Sequence, residues 1–305
     1  MPVGMGLAKV AERTAEIGAS TLQIFTDNPT AWRRRERAPE EGELFRRRLA
    51  ELDLGPVAIH APYLVNLAGP DDVLFIRSVD MVRHELAGAP EFGARFVNVH
   101  VGSHRGAGLA AGVERLVEGL EMSFGGPDHG PADPMLVLEN SAGGGFTIGS
   151  TVEELAMVLD AAAARGIDGR LGICLDLAHL WGAGYDVGDP GSIDGLLEEV
   201  DRLVGLDRLV MIHFNDSVSA LGSKRDQHTH LGDGLIGRVG LAHFLGHPAL
   251  GHAAFFMEIP GVDRGYDAVN VARLGDLLAG RPLTQHPLPG EHGVGHGSSR
   301  VAAEP

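Results

Sequence analysis

Histidines and carboxylates recur at the carboxyl ends of short hydrophobic runs in this 305-residue sequence. Seven runs rich in Val, Ile, Leu and Phe recur along the chain, and six of them end in a residue that could bind a metal ion: His60, His100, Glu139, Asp176, His213 and Glu258. Imidazole nitrogens mixed with carboxylate oxygens are ligands that zinc and similar divalent cations take in proteins. The residue types therefore predict metal-dependent chemistry. The alternative is a set of hydrogen-bonded polar residues at strand ends.

Two further groups of ligand-type residues lie near these ends. His179 follows Asp176 by three residues, and Asp226, His228 and His230 are spaced two apart. Residues two apart share one face of an extended segment, but the spacing does not say which two of the three would bind a metal. Buried carboxylates in such numbers repel one another and need cations nearby, which favours the metal interpretation.

Strand-like runs that alternate with helical segments are typical of βα units in a parallel sheet. The runs cover residues 22–25, 57–60, 96–100, 135–139, 172–176, 209–213 and 254–258. The helical segments cover residues 6–18, 41–53, 71–92, 109–124, 151–165, 192–204 and 266–279. Ser150-Thr151-x-x-Glu154 has the sequence of a capping box. The pattern predicts an α/β protein with a (β/α)8 TIM barrel, in which all strand ends of one polarity meet on one face.

One of the eight strands is missing from this pattern. Only residues 1–5 precede the first helical segment, and they are too few for a strand. We therefore predict that the first strand is truncated at the N-terminus, which would leave two unpaired edges and lower stability or promote association. The barrel domain is predicted to span residues 1–280. The Gly-, Pro- and His-containing segment 281–305 is predicted to be a disordered tail with solvated histidines, namely His286, His292 and His296.

The composition excludes several classes of protein. One cysteine excludes an intramolecular disulfide framework and fits a reducing compartment, so we expect a cytoplasmic protein. No apolar run approaches the 18 residues of a membrane span, and no signal peptide is evident. The formal net charge of −16 argues against general affinity for nucleic acid. Any DNA binding must therefore depend on a local site.

Several ordered sequence blocks identify a family resemblance. They are His60-Ala-Pro-Tyr63-Leu64-Val-Asn66, His100-Val-Gly-Ser-His104, Glu139-Asn140-Ser, Cys174-Leu-Asp176-Leu-Ala-His179, His213-Phe-Asn215-Asp216 and Asp226-Gln-His228. These blocks resemble the signature motifs of the endonuclease IV family, the zinc-dependent apurinic/apyrimidinic endonucleases of the xylose isomerase-like barrel superfamily. The resemblance extends over about residues 6–260.

The resemblance implies nine metal ligands around three Zn²⁺ ions, with Mn²⁺ as an alternative occupant of some sites. One ion would be held by His60, His100 and Glu139. Glu139 would also bridge to a second ion, held by Asp176, His213 and Glu258. The third would be held by His179, Asp226 and His228, which settles the ambiguity left by the spacing. Glu139 is accordingly the implied catalytic residue. Cys174 lies inside an apolar run, so we expect it to be a small buried apolar residue without a chemical role.

The implied partner is double-stranded DNA that contains abasic sites, bound by a monomer associated with the nucleoid through DNA. By resemblance, Tyr63 and Leu64 insert into the duplex and help to hold the abasic nucleotide outside the stack. Thr30 stands where the family has an arginine, so one DNA contact is lost. Arg33, Arg34 and Arg35 follow and are candidates for phosphate contacts, the alternative being a solvated segment.

The implied reaction is hydrolysis of the phosphodiester 5′ to an abasic site, leaving a 3′-hydroxyl. Two alternatives stay open. A sugar isomerase or epimerase on the related barrel also places Glu, Asp and His at strand ends around one or two metals. A non-catalytic relative that only binds DNA is favoured by Thr30 and the missing first strand. The additional residues His179, Asp226 and His228 favour the nuclease, since a third metal site has no evident use in isomerisation.

Overall fold

A computed structural model describes residues 6–34, 39–125 and 133–286. Its strands are β1 (Leu22–Ile24), β2 (Val57–His60), β3 (Ala94–His100), β4 (Met135–Glu139), β5 (Leu171–Asp176), β6 (Leu209–His213), β7 (Asp216–Ser217), β8 (His228–Thr229) and β9 (Ala254–Phe256). Its helices are α1 (Leu7–Glu16), α2 (Pro39–Glu51), α3 (Asp72–Gly88), α4 (Leu109–Phe124), α5 (Val152–Ala163), α6 (Leu177–Ala183), α7 (Pro190–Leu203), α8 (Gly237–Leu245) and α9 (Tyr266–Leu278). Every predicted strand run and helical segment has a counterpart among these elements.

Seven strands form one parallel sheet in the order β1-β2-β3-β4-β5-β6-β9, which curves into a nearly closed barrel. The register pairs His100 with Glu139 and Asp176 with His213. The strand ends that carry the ligand-type residues therefore lie side by side at one end of the barrel, as predicted. Strands β7 and β8 form a separate antiparallel hairpin at this end.

An apolar layer fills the barrel interior beneath these strand ends. It consists of Ala58, Phe96, Val137, Cys174, Met211 and Phe256. Each lies two or four residues before a ligand-type residue, and side chains at such spacing share one face of the sheet. Burial raises the pKa of the Cys174 thiol to about 12, so this side chain is neutral and packs as a small apolar group. These apolar side chains exclude water from the space beneath the polar residues.

Local hydrogen bonds start the helices where the sequence predicts them. Thr151 Oγ1 accepts from Glu154 N, which is the forward bond of the predicted capping box, while the Glu154 carboxylate accepts from Ser150 N, one residue before the N-cap. Helices α6 and α8 were not predicted. Helix α6 is short and buried on nearly all sides, so it lacks an amphipathic period, and α8 contains two glycines that lower its helix propensity.

Strands β1 and β9 are the two ends of the sheet in the described part of the chain. Thr21 Oγ1 donates to Phe255 O across the gap between them, at 2.7 Å. A cavity of about 2900 Å³ runs along this gap and continues to the strand ends. The predicted first-strand remnant falls on residues 1–5, which lie outside the described residues.

The start of the predicted tail follows α9 closely. Thr284 donates from its backbone N and from Oγ1 to Asp276 Oδ2, at 2.8 and 2.7 Å. His286 lies against Asp233 and the ring of Tyr266. The prediction of a solvated His286 is therefore wrong, because the aromatic and charged groups beside α9 enclose this ring. Residues 287–305, with His292 and His296, lie outside the described residues. None of the described helices is long and apolar enough to span a membrane.

Candidate metal centre

All nine predicted metal ligands converge at the carboxyl end of the barrel. Five of them terminate strands β2 to β6: His60, His100, Glu139, Asp176 and His213. Glu258 follows β9 by two residues, and His179 lies in the first turn of α6. Asp226 precedes β8, and His228 is its first residue. Parallel pairing aligns the strand ends. Helix α6 and the β7–β8 hairpin bring His179, Asp226 and His228 over the same end.

The first group consists of two histidines facing one oxygen of Glu139. The Nε2 atoms of His60 and His100 lie 3.4 and 3.5 Å from Glu139 Oε2. Ligand atoms about 2.0–2.1 Å from a tetrahedral zinc ion are separated by about 3.3 Å from one another. The observed separations are too long for strong hydrogen bonds and match the spacing around a metal ion.

The second group surrounds the other oxygen of Glu139. His213 Nδ1 lies 3.1 Å from Glu139 Oε1 and 3.4 Å from Glu258 Oε2. The same nitrogen lies 3.8 Å from Asp176 Oδ2. The Glu139 carboxylate is fully buried between the two groups. Its oxygens therefore face different sets of ligands, as a bridging carboxylate requires.

The third group consists of His179 and His228, which lie close to Asp226 and to Asp176. His179 Nε2 lies 3.2 Å from Asp226 Oδ2, and His228 Nε2 lies 2.9 Å from Asp226 Oδ1. His228 Nε2 also lies 3.5 Å from Asp176 Oδ2, which connects this group to the second. His230 turns away from the centre and packs on Tyr266. The structure thus brings Asp226 and His228 together and separates His230 from them.

Hydrogen bonds on the far side of three imidazole rings fix how the rings point. The Nδ1 atoms of His60, His179 and His228 donate to the carbonyl oxygens of Ala61, Asn140 and Glu258, at 2.6, 2.9 and 3.0 Å. Each Nε2 atom then faces the centre, where it can bind a metal ion once the ion displaces any proton it carries. The Nε2 atoms of His60 and His228 are buried without a hydrogen-bond partner. Such orphaned atoms are costly unless another group binds them, so the donor set fits a metal.

The charges in the centre are strongly coupled. Burial disfavours the Glu139 carboxylate, but the His213 and His100 imidazoles outweigh burial and hold its pKa well below the usual value. Burial also disfavours charged His228, but Asp176 and Asp226 outweigh it and raise the pKa of His228 to about 9. The arrangement therefore stabilises ionised carboxylates by placing positive charge among them, which is the environment that cations provide.

Sequence reasoning missed a set of amides that hold the carboxylates. Asn98 Nδ2 donates to Glu139 Oε2 at 2.5 Å, and Asn215 Nδ2 donates to Asp176 Oδ2 at 2.6 Å. Gln23 Nε2 donates to Glu258 Oε1 at 2.7 Å, while Gln23 Oε1 accepts from His213 Nε2 at 3.0 Å. Asn98 could have been found from its position two residues before His100 on the same strand face. No sequence signal pairs Gln23 with its two distant partners.

The predicted DNA-contacting residues lie at the rim of the same cavity. Tyr63 is 54% exposed, and its ring lies 5.5 Å from that of His60 and 5.3 Å from that of Phe25. Leu64 is half-buried next to it, and Arg33 and Arg34 are exposed elsewhere on the cavity lining. Arg35 lies outside the described residues.

Comparison with known proteins agrees with this architecture. Residues 11–274 match the family model described as a xylose isomerase-like TIM barrel. The fold and the polar cluster at its strand ends therefore define a protein of the xylose isomerase-like class. A solved D-tagatose 3-epimerase-like protein has a TM-score of 0.62 at 18% identity over 88% of this chain and 91% of its own, and shares the fold alone.

Within that class, higher similarity distinguishes one group of relatives. "Probable endonuclease 4" of Halothermothrix orenii is 36% identical over 271 residues, which cover 88% of this chain and 95% of the relative. The protein of the same name from Methanoculleus marisnigri is 38% identical over 87% of this chain and 92% of its own. The crystal structure of endonuclease IV from Thermus thermophilus has a TM-score of 0.79 at 35% identity, and covers 92% of this chain and 97% of that one. The chain belongs to the endonuclease IV family.

Proposed function

We propose that this protein hydrolyses the phosphodiester bond on the 5′ side of an abasic site in double-stranded DNA and leaves a 3′-hydroxyl. The observation that carries the proposal is the Glu139 carboxylate, whose two oxygens face two different groups of ligand-type side chains. A shared carboxylate suits two adjacent cations, and two-metal sites are common in enzymes that cleave phosphodiesters. The endonuclease names of its relatives support the same reaction class.

The nine ligand-type residues are proposed to hold three Zn²⁺ ions per chain, with Mn²⁺ as an alternative occupant. The first ion is assigned to His60, His100 and Glu139, the second to Glu139, Asp176, His213 and Glu258, and the third to His179, Asp226 and His228. Bound zinc supplies a water molecule with a pKa near 7 and positive charge beside the phosphate. The four carboxylates among the nine contribute −4 and three Zn²⁺ contribute +6, so the loaded centre suits an anionic substrate.

The protein groups around the centre orient the ligands and keep bulk water from one side of it. Backbone carbonyls and amides hold the imidazole rings and carboxylates in place before substrate binds. The apolar layer beneath them keeps bulk water from the lower side of the cluster. No serine or cysteine nucleophile is needed for hydrolysis by an activated water.

Substrate selection is assigned to the rim of the cavity. Tyr63 and Leu64 project from the loop after β2, where an aromatic and an aliphatic side chain could fill the gap left by an extruded nucleotide. Extrusion costs least where the base is already absent, which gives selectivity for damaged DNA. Arg33 and Arg34 are assigned to phosphate contacts along the same cavity, which agrees with a local binding site on an acidic protein.

The decisive test is cleavage of a labelled duplex with a single tetrahydrofuran abasic analogue. This analogue blocks β-elimination, so only hydrolysis can cut it. We expect a cut 5′ to the analogue with a 3′-hydroxyl end, no cut in the intact duplex, and loss of cleavage after prolonged treatment with a chelator. Readdition of Zn²⁺ should restore the activity, and elemental analysis should find about three zinc ions per chain.

Two outcomes would contradict the proposal. If the folded, zinc-loaded protein leaves the analogue intact, the proposed nuclease activity is refuted. That result would favour one of the two alternatives, a sugar isomerase or epimerase or a non-catalytic DNA-binding protein. Assays of ketose epimerisation and of duplex binding distinguish these two. Cleavage that survives complete metal removal would exclude the proposed metal chemistry.

A further inference from the structure

A fourth group of ligand-type side chains lies apart from the proposed catalytic centre. In the described part of the chain, three such groups belong to the centre, and the fourth comprises Asp194, His243 and His247. Asp194 lies in the second turn of α7, His243 in the last turn of α8, and His247 two residues after α8 ends. His243 Nε2 lies 2.6 Å from Asp194 Oδ1, and His247 Nε2 lies 3.5 Å from the same oxygen.

The two helices that carry this group are held close together. A side chain at Gly240 would collide with the Val187 carbonyl just before α7, so the start of α8 rests directly on this backbone. His243 follows Gly240 by three residues and therefore lies one helical turn further along α8. The rings of His243 and His247 are 5.6 Å apart between centroids. The close approach of α8 to the backbone before α7 therefore brings these side chains near one another.

We propose that Asp194, His243 and His247 form a binding site for a divalent transition-metal ion of the zinc type. Two imidazoles and one carboxylate supply three ligands, and water completes the coordination. Side-chain exposures of 52%, 33% and 18% for Asp194, His243 and His247 leave the site open to a hydrated ion. The 3.5 Å separation already suits two ligands of one metal, while the 2.6 Å separation would have to widen by about 0.7 Å to reach the spacing of about 3.3 Å between two zinc ligands.

Binding has a local cost that makes this site weaker than the catalytic ones. His247 Nδ1 accepts a long hydrogen bond of 3.3 Å from Ala249 N. When Nε2 binds a metal, the ring proton resides on Nδ1 and this contact is given up. No ligand is shared with the catalytic centre, so the two kinds of site load independently.

The ion would clamp α7 to α8. Helix α7 follows the segment that carries His179, and α8 follows the hairpin that carries His228. A metal ion that links α7 to α8 would therefore stabilise the two segments that carry His179 and His228. The expected effect is on the stability of the folded protein, because these residues touch neither the cavity nor its rim.

The test is calorimetric titration of the metal-loaded protein with further Zn²⁺, supported by equilibrium dialysis. We expect one additional equivalent in the unchanged protein and a rise in melting temperature with added Zn²⁺. The double variant His243→Asn/His247→Asn should lose both, whereas His252→Asn, an exposed histidine nearby in sequence, should keep both. Nicking of the abasic duplex should be the same in the unchanged protein and in the double variant, because His243 and His247 lie outside the cavity.

Equal Zn²⁺ uptake by the double variant and the unchanged protein would overturn the site, as would the absence of any additional equivalent. If the double variant does not fold, Asp194→Asn serves instead, since its side chain is mainly exposed. It should weaken binding of the additional Zn²⁺ by about tenfold or more. Unchanged affinity in Asp194→Asn would refute the proposal.

Discussion

Glu139 lies between two groups of candidate metal ligands. It is fully buried at the end of β4, and contacts from His60, His100 and His213 reach both of its oxygens. Its contacts therefore join the first group of ligands to the second. An amide in its place keeps the volume but loses the charge and one acceptor oxygen.

We therefore predict that Glu139→Gln reduces nicking of the abasic duplex by far more than tenfold while the fold persists. Zinc content should fall as well, because two groups lose a shared ligand. Single-turnover rates, elemental analysis and circular dichroism measure the three effects, with exposed Glu43→Gln as the control. A variant that keeps more than about a tenth of the wild-type rate would show that Glu139 has no bridging role.

Gln23 acts on the centre through two ligands of the same predicted ion. Its amide accepts from His213 Nε2 and donates to Glu258 Oε1, so it leaves His213 Nδ1 facing the carboxylates. We predict that Gln23→Leu lowers zinc affinity by about 10- to 100-fold, as the loss of such supporting hydrogen bonds does in other zinc proteins.

Competition with a chromophoric chelator measures this affinity, and Gln285→Leu on the exposed C-terminal segment is the control. Excess Zn²⁺ should restore most of the activity of Gln23→Leu, which separates a positioning role from a role in the chemical step. An unaltered chelator midpoint would mean that packing alone keeps His213 and Glu258 in place.

At the level of elements, the strands and the loop after β2 carry different groups of the candidate site. Strands β2 to β6 supply ligands from a rigid, paired scaffold, whereas the loop after β2 also presents an exposed aromatic ring to the cavity rim. An aromatic side chain that is 54% exposed stabilises the fold less than a fully buried one. Tyr63 therefore has more to contribute to a ligand than to the fold.

We predict that Tyr63→Ala weakens discrimination between abasic and intact duplex and leaves the melting temperature nearly unchanged. The ratio of dissociation constants for the two duplexes is the quantity to measure. Ile76→Ala removes an exposed apolar side chain from α3, away from the cavity, and controls for surface effects. An undiminished ratio in Tyr63→Ala would return Tyr63 to a packing role on Phe25 and His60.

At the scale of the whole molecule, a buried histidine couples stability to pH. His230 packs between Tyr266 and His286 beneath the hairpin. Burial, together with the electrostatic effect of nearby His286 and Arg273, lowers the pKa of His230 to about 4. In the unfolded chain its pKa is about 6.5. Between these two values the unfolded state binds more protons, so stability falls as the pH drops from about 6.5 towards 4.

We predict that this group alone lowers the free energy of unfolding by about 2 kcal/mol between about pH 7 and pH 5. Urea unfolding at the two pH values should show a smaller loss in His230→Gln than in the unchanged protein, and an undiminished loss in the exposed-site variant His252→Gln. Equal losses in all three would mean that His230 titrates normally in the folded state.

The amino-acid sequence determined the strands, most helices and the identity of the candidate ligands. This was possible because parallel strands of period two deliver every polar terminal residue to one end of a barrel. Local hydrogen bonds, such as the one that Thr151 accepts at the start of α5, can also be predicted from the sequence, since their partners are neighbours in the chain.

Tertiary structure decided which atoms face each other. Only packing turns Asp226 and His228 towards His179 while His230 points to Tyr266, because β8 ends at Thr229 and the shared face of an extended segment does not continue to His230. Gln23 lies 190 residues from His213 and 235 from Glu258, so no local pattern could pair them. The enclosure of His286 likewise depends on α9 and Asp233. Contacts between distant segments arise because the curved sheet brings β1 close to β9, and that curvature depends on the packing of all seven strands.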